Sequence, residues 1–429
     1  MQGNTIRKAA LAAAASTFIA GALISTTARA TEGYFQPGYS AIQKSLAGAG
    51  VANPEDAMAM AVNPAGLTSV GQQFEFGLSW FSPMRGYTVT GGPGFVAPGT
   101  VKSGWENFVI PGIAYSQPID ANSSWGIAMY GNGGMNTNYA GSTVNPACGP
   151  FSGVYCGGKA GVNLNQMFIS VGYSRRSGDW QFGIAPIFAL QMFDAKGLGA
   201  FSPISISPGN LTNRGISYSY GGGVRAGVIW NASPTVRLAV AGATPMWMSK
   251  FSKYKGLFAD GGAFDIPANV SVGLSWDTTP AWTLMVDYKH IFYSGVDSVG
   301  RSTLFTGIPL GAPNGPGFGW SDVDVISFGA AWRVASDWTL RAGYAHNTNP
   351  VGSNDVTLNI LAPGIVTDHI TAGFSHKFDD HSSLDFSGMY VPENTVSGIE
   401  VTPFGPNPGR TIKLNMHQFD ITLGYRYDF

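Results

Sequence analysis

The chain has 429 residues, of which only 11% are charged and 13% aromatic, with 59 glycines and a formal net charge of −1. A soluble protein of this length charges more of its surface, and a near-neutral balance argues against a partner as anionic as nucleic acid. After residue 30 no apolar run reaches the ~20 residues of a membrane-crossing helix, so a membrane protein of this composition spans as a closed β-barrel.

At the N-terminus Arg7 and Lys8 precede an apolar, Ala-rich run from Ala9 to Ile24, and Ala28-Arg29-Ala30 is a small-x-small cleavage site. Residues 1–30 are therefore expected to be a secretory signal peptide, the run being short and Ala-diluted for a membrane anchor. Residues 31–71 show no strand periodicity. Gly48-Ala49-Gly50-Val51, Asn53-Pro54-Glu55-Asp56-Ala57 and Asn63-Pro64-Ala65-Gly66-Leu67 suggest tight turns between one-turn helices, with Asn or Asp caps and Pro at the first helical positions. Such a segment is either a free periplasmic tail or a plug inside the barrel. Its apolar side chains favour the plug, because free tails are polar and charged. Phe35, Met58 and Met60 are its candidate contacts for an apolar ligand, since such side chains offer area without demanding hydrogen bonds.

Residues 72–429 are dominated by period-two alternation, as in Trp282, Leu284, Val286 and Tyr288 against Thr283, Asp287 and Lys289. Short polar turns fall at Asp120–Ser123, Arg176–Asp179, Asn231–Pro234, Asp277–Pro280, Ala335–Asp337 and Asp379–Ser382. Long Gly/Pro/Asn-rich stretches separate them at Gly131–Val162, Asp194–Arg214, Val296–Trp320 and Pro392–Arg410. Short turns at one end and long loops at the other describe a transmembrane barrel. Six turns join twelve strands, and one strand before the first turn and one after the last make about fourteen.

Trp180, Trp230, Trp276, Trp282, Trp332, Trp338 and Phe378 sit beside the short turns, which suits an interfacial girdle. Cys148 and Cys156, eight apart in a Gly/Pro-rich stretch, fit a loop disulfide in an oxidising compartment; no His or carboxylate lies between them to complete a metal site. From Pro245 to Phe258 an apolar loop carries Met246, Trp247, Phe251, Tyr254 and Phe258 with Lys250, Lys253 and Lys255 interleaved. It can capture an amphipathic anion, rings on the tail and lysines near the carboxylate. Equally, it can pack on neighbouring loops and present its lysines to lipopolysaccharide phosphates. The last strand alternates from Phe419 to Tyr427 and Phe429. That ending is similar to the C-terminal signal of barrels handled by the outer-membrane assembly machinery.

Gly33-Tyr34-Phe35, Lys44 to Ala52, Asp56-Ala57 and Asn63-Pro64-Ala65-Gly66-Leu67 together resemble the N-terminal hatch of the outer-membrane long-chain fatty acid and aromatic hydrocarbon transport family (FadL/TodX type). Pro267 to Trp276 and Leu340 to Tyr344 are weaker echoes of its strands. The resemblance implies a fourteen-stranded barrel of the outer membrane that takes up hydrophobic molecules without a cofactor. It also implies a hatch gate at Asn63, Pro64 and Ala65, and lateral exit at a kinked third strand. That strand is expected at Ser124–Tyr130, with Gly131, Gly133 and Gly134 either forming the kink or opening the following loop.

Long-chain fatty acids are the expected ligands and monoaromatic hydrocarbons the alternative. Two other classes compete. An outer-membrane enzyme would need a site, but the six histidines are scattered, and neither a Gly-x-Ser-x-Gly nor a His-Glu-x-x-His motif occurs. A general porin would leave its lumen wet and open, against the apolar N-terminal segment.

Overall fold

The computed structural model describes residues 32–302 and 307–429; the expected signal peptide lies outside the described residues. Alternation from Gln73 onward produces one antiparallel ring, because backbone groups in lipid must all pair and only a closed sheet leaves no edge. The ring strands are β1 (Gln73–Gly91), β2 (Phe108–Asp120), β3 (Ser123–Asn136), β4 (Gly161–Ser177) and β5 (Trp180–Lys196). They continue as β6 (Ser217–Asn231), β7 (Val236–Ala243), β8 (Asn269–Thr279), β9 (Trp282–Ile291) and β10 (Val323–Arg333). The last four are β11 (Trp338–Asn347), β12 (Asp368–Lys377), β13 (Ser382–Thr402) and β14 (Gly405–Asp428). Each pairs with its sequence neighbour, and β1 closes on β14 from Gln73↔Asp428 to Gly91↔Arg410. This is the fourteen-stranded barrel that the turns predict. Two short strands, Gly99–Lys102 and Trp247–Met248, pair onto β1 and β6.

All six expected turns join consecutive strands at one end, the periplasmic end in an outer-membrane barrel. At the other end one expectation fails. Pro392–Arg410 is not a long loop but the tip of the β13–β14 hairpin, paired out to Thr402↔Gly405. The prolines and glycines there suggest a loop by composition; register shifts after Val391 and Ile399 absorb them without ending the ladder.

The outward face is apolar and the inward face polar. On β9, Trp282, Leu284, Val286 and Tyr288 are exposed outward, while Thr283, Met285 and Asp287 are buried toward the lumen. The girdle residues face outward and stack in cross-strand pairs, Trp180 on Trp230 at 5.4 Å and Trp282 on Trp332 at 5.3 Å between ring centroids. Phe419, Ile421, Leu423, Tyr425 and Phe429 line the outer face of β14 in the same way.

Before β1 the chain forms α1 (Ala41–Ser45), two 3-10 turns (Ala57–Ala61 and Pro64–Gly66) and α2 (Leu67–Val70). Ser40 caps α1 by accepting from the Gln43 amide, and Asn63 caps the second 3-10 turn with Pro64 behind it. Nothing else holds such short helices, so the barrel wall must. The lumen-facing wall accordingly carries residues without side chains where the segment lies closest. A Cβ on Gly183 of β5 would stand 2.1 Å from the Ala65 nitrogen.

Candidate functional site

The N-terminal segment is fastened to the wall by charged and polar side chains that the inward face of each strand supplies. Lys44 reaches Asp420 at 2.9 Å and Ser79 at 2.8 Å, with both ions of the pair buried. The Asp287 carboxylate accepts from the Gly50 and Val51 amides at 2.6 and 2.8 Å. Arg341 bonds Glu55, and Arg426, paired with Asp385 at 2.6 Å, also donates to the Glu55 carbonyl. Gln73 and Glu75 accept from the Ala57 and Met58 amides. Removing one member of such a buried ion pair costs about 3–5 kcal/mol, because its partner is left as an uncompensated charge. The inward charges Arg225, Arg237, Asp287, Lys289 and Arg341 all contact this segment. Arg333 and Lys377 lie exposed at the periplasmic rim.

Asn63 donates to the Val51 carbonyl at 3.0 Å and accepts from the Ala65 amide at 3.1 Å, which ties two separate turns together. Pro64 and Ala65 are buried against β5 and β6. Met58 and Met60 are buried too, Met58 over Gly112 of β2 and Met60 over Gly126 and Gly172. Both methionines fill the joint between segment and wall.

The third strand departs from its expected end at Tyr130. It continues to Asn136 through Gly131, Gly133 and Gly134, with Asn132 inserted as a bulge between the pairs Gly131↔Met167 and Gly133↔Gln166. Its pairing with β2 nevertheless stops at Gly112↔Tyr130, so β2 from Phe108 to Pro111 and β3 from Gly131 onward lose each other. Beyond the bulge β3 bonds the N-terminal segment instead. Phe35 bridges Gly133, the Gly134 amide donates to the Tyr34 carbonyl at 3.3 Å, and the Gln36 side chain donates to the Gly131 carbonyl at 2.6 Å. The approach is so close that a Cβ on Gly133 would fall 1.8 Å from the Tyr34 oxygen. Farther out, the Gly104 amide donates to the Asn138 carbonyl at 2.8 Å and the wall rejoins. The interruption is thus a break in the β2–β3 ladder, framed at both ends by hydrogen bonds.

From the same segment a column of rings leads outward. Tyr34 meets Tyr293 at 5.0 Å, Trp320 at 5.8 Å and Phe264 at 6.4 Å; Phe264 meets Phe258 at 4.8 Å, and Phe258 meets Phe193 at 4.7 Å. Phe251 and Tyr254 complete this cluster, and Met246 is buried beside it. Trp247 alone of the loop's large apolar residues projects outward, 61% exposed. Lys250 and Lys253 are exposed, each donating to a backbone carbonyl, of Asp260 and Ile216. Burial pushes the Asp265 carboxyl of this loop above the ordinary range, with the Met248 amide opposing. Sequence reasoning missed Phe193, Phe264, Tyr293 and Trp320, which lie in four separate stretches and carry no local signal.

Cys148 and Cys156 are joined in the loop after β3 with their Cα atoms 5.2 Å apart. Tyr427 and Phe429 pack edge to face at 4.9 Å on the outer surface, far from the column.

A closed fourteen-stranded barrel filled by its own N-terminal segment, with a break in one ladder where that segment bonds the wall, differs from an open water-filled pore. Comparison with known proteins narrows the class. Residues 219–429 match the model of the outer membrane protein transport protein family (OMPP1/FadL/TodX). A long-chain fatty acid transport protein of Escherichia coli O6:H1 is 22% identical over 388 residues, 79% of this chain and 81% of that protein. The crystal structure of a Pseudomonas aeruginosa FadL homologue superposes with a TM-score of 0.67 at 16% identity, covering 92% of this chain and all, 100%, of the other. That of the Pseudomonas putida toluene transporter TodX gives 0.65 at 17% identity, over 92% and 100%. The chain is thus similar to the FadL/TodX outer-membrane transporters, whose family model it matches over residues 219–429 and whose barrel fold it shares.

Proposed function

We propose that the chain takes up long-chain fatty acids passively, capturing them on its outer loops, passing them beside an N-terminal hatch and releasing them sideways into the membrane. The observation that carries this reading is the break in β2–β3 pairing, at the point where the third strand bonds the N-terminal segment; in this proposal it is the lateral window. Moving the segment breaks the contacts that fix the bulge, so the gate and the exit are mechanically one device. Residues 31–71 are the hatch and 72–429 the barrel in this proposal, after removal of a signal peptide at residues 1–30. Asn63, Pro64 and Ala65 act as the fixed end of the hatch. Phe35 stands at the window, while Trp247 is the exposed ring at which capture starts, with Phe251, Tyr254 and Phe258 behind it. The ring column supplies successive weak contacts suited to an apolar solute. Phospholipid surrounds the periplasmic girdle and lipopolysaccharide the outer end of the barrel, and the aromatic C-terminus addresses the chain to the outer-membrane assembly machinery.

The resemblance to toluene transporters favours a second reading, uptake of monoaromatic hydrocarbons by the same path. Uptake of a labelled long-chain fatty acid and of labelled toluene by expressing cells, beside an Asn63→Ala, Pro64→Ala variant, separates the two. Fatty acid uptake that falls in the variant is the expected result. Uptake of toluene alone moves the assignment to the second reading, and uptake of neither by correctly inserted protein overturns both.

A further inference from the structure

Among the buried arginines Arg341, Arg410 and Arg426 each meet a carboxylate, and Arg225 donates to the Val62 carbonyl of the N-terminal segment. Arg85 on β1 does neither. It is 4% exposed and has no carboxylate at ion-pair distance among the described residues, Glu106 acting on it only from farther away. Its Nη2 donates to the Trp105 carbonyl at 2.7 Å, and its Nε is buried with no partner. Leaving a guanidinium so poorly compensated is costly unless something else completes it.

Its surroundings say what would. On β1 the odd-numbered residues face the lumen, so Arg85 follows Phe81 on the inner wall. The Phe81 position pairs with Phe108, where β2 begins. The inward residues of the β2 stretch that lacks a β3 partner are Phe108 and Ile110, clustered with Phe81 and Trp105. The guanidinium lies 5.9 Å from the Phe108 ring, and the Arg85 carbonyl accepts from the Ser103 amide at 2.8 Å beside the outer edge of the window. Two more underused polar groups share this wall. The Tyr87 hydroxyl, one inward position farther along β1, is buried without a partner. Gln418, opposite Pro83 on β14, has a donor, Nε2, whose hydrogen bond goes only to the Met416 sulfur at 3.7 Å. A cation, a hydroxyl and an amide thus border an apolar patch at the exit.

We propose that Arg85 is the headgroup site of the window: it receives the carboxylate of an amphipathic anion whose apolar tail lies on Phe81, Phe108 and Ile110, with Tyr87 and Gln418 as accessory donors. This rests on the lateral route above and deepens it, because it makes the window selective for an anion over a neutral hydrocarbon. A site at the exit also orients the ligand, tail toward the membrane, before release.

The test is equilibrium binding of oleate, methyl oleate and toluene to the purified full-length chain and to Arg85→Met and Arg85→Lys variants. Folding of each is checked by the temperature at which its compact gel band converts to the unfolded one. Arg85→Met is expected to weaken oleate about ten-fold or more, as loss of a charge-assisted hydrogen bond does. Arg85→Lys should retain most of the affinity, and the ester and toluene should bind all three proteins alike. A parallel fall for all three ligands in a correctly folded Arg85→Met variant overturns the proposal in favour of a packing role, and no change for oleate overturns it outright. Wild-type protein that binds toluene but not oleate sinks the anion site and leaves hydrophobic transport standing; binding of none of the three removes the transport reading as well.

Discussion

Gly133 shows how much one missing side chain can decide. It looks like its neighbours Gly131 and Gly134 in sequence, yet the Tyr34 carbonyl occupies the place its Cβ would take. Gly133→Val must push the N-terminal segment off the third strand or straighten the bulge, at a cost of about 1–3 kcal/mol for overpacking. The expected outcome is a barrel that still inserts but whose residues near Tyr34 become accessible to a labelling reagent or protease; protection equal to wild type would show that the contact is dispensable. Asn63 is legible as a cap in the sequence, but its second bond, to the Val51 carbonyl, is long-range within the segment and is not. Lys44 likewise reads as an ordinary helix residue until β14 brings Asp420 to it.

At the scale of elements, strands and short turns were legible and strand ends were not. Alternation is local, so each ring strand announces itself, and Asp and Ser in the turns hold their own backbone, as Asp379 does for His381 and Ser382. The β13–β14 hairpin defeated composition because pairing partners, not residue type, keep Pro392–Arg410 extended. The loop between β3 and β4 is the opposite case, irregular but fixed. The Cys148–Cys156 bond closes a sequence separation of 8, and the Tyr139 and Tyr155 hydroxyls donate to the Ile360 and Thr357 carbonyls of the loop after β11. Closing so short a loop stabilises it by about 2–3 kcal/mol through the unfolded state. Cys148→Ser is therefore expected to speed proteolysis between the two positions while the folded gel band persists at the same temperature. Loss of the folded band itself would mean that this loop helps hold the barrel, contrary to its two-tyrosine anchorage.

The whole molecule couples a stiff ring to a segment held by side chains from both halves of the barrel: Glu75 on β1, Arg225 on β6, Asp287 on β9, Arg341 on β11 and Asp420 on β14. That distribution makes the segment a plug whose release needs many bonds to break together. In planar bilayers wild-type protein should pass little ion current, and the Asn63→Ala, Pro64→Ala variant should pass measurably more. Steady large conductance from the wild type would place the chain among open porins instead.

Period-two alternation, turn residues and a lack of charge determined the barrel, its strand number and its membrane, because each follows from local side-chain chemistry and from the demand that every backbone group pair in lipid. The apolar, helix-breaking start marked a plug, and the motif around Asn63 marked a family. Only the tertiary structure decided which charges hold the plug, where the β2–β3 ladder breaks and which rings meet. Glu55 and Arg341, or Gly112 and Tyr130, are far apart in the chain and meet only when the ring closes. No window of sequence contains both members of either pair.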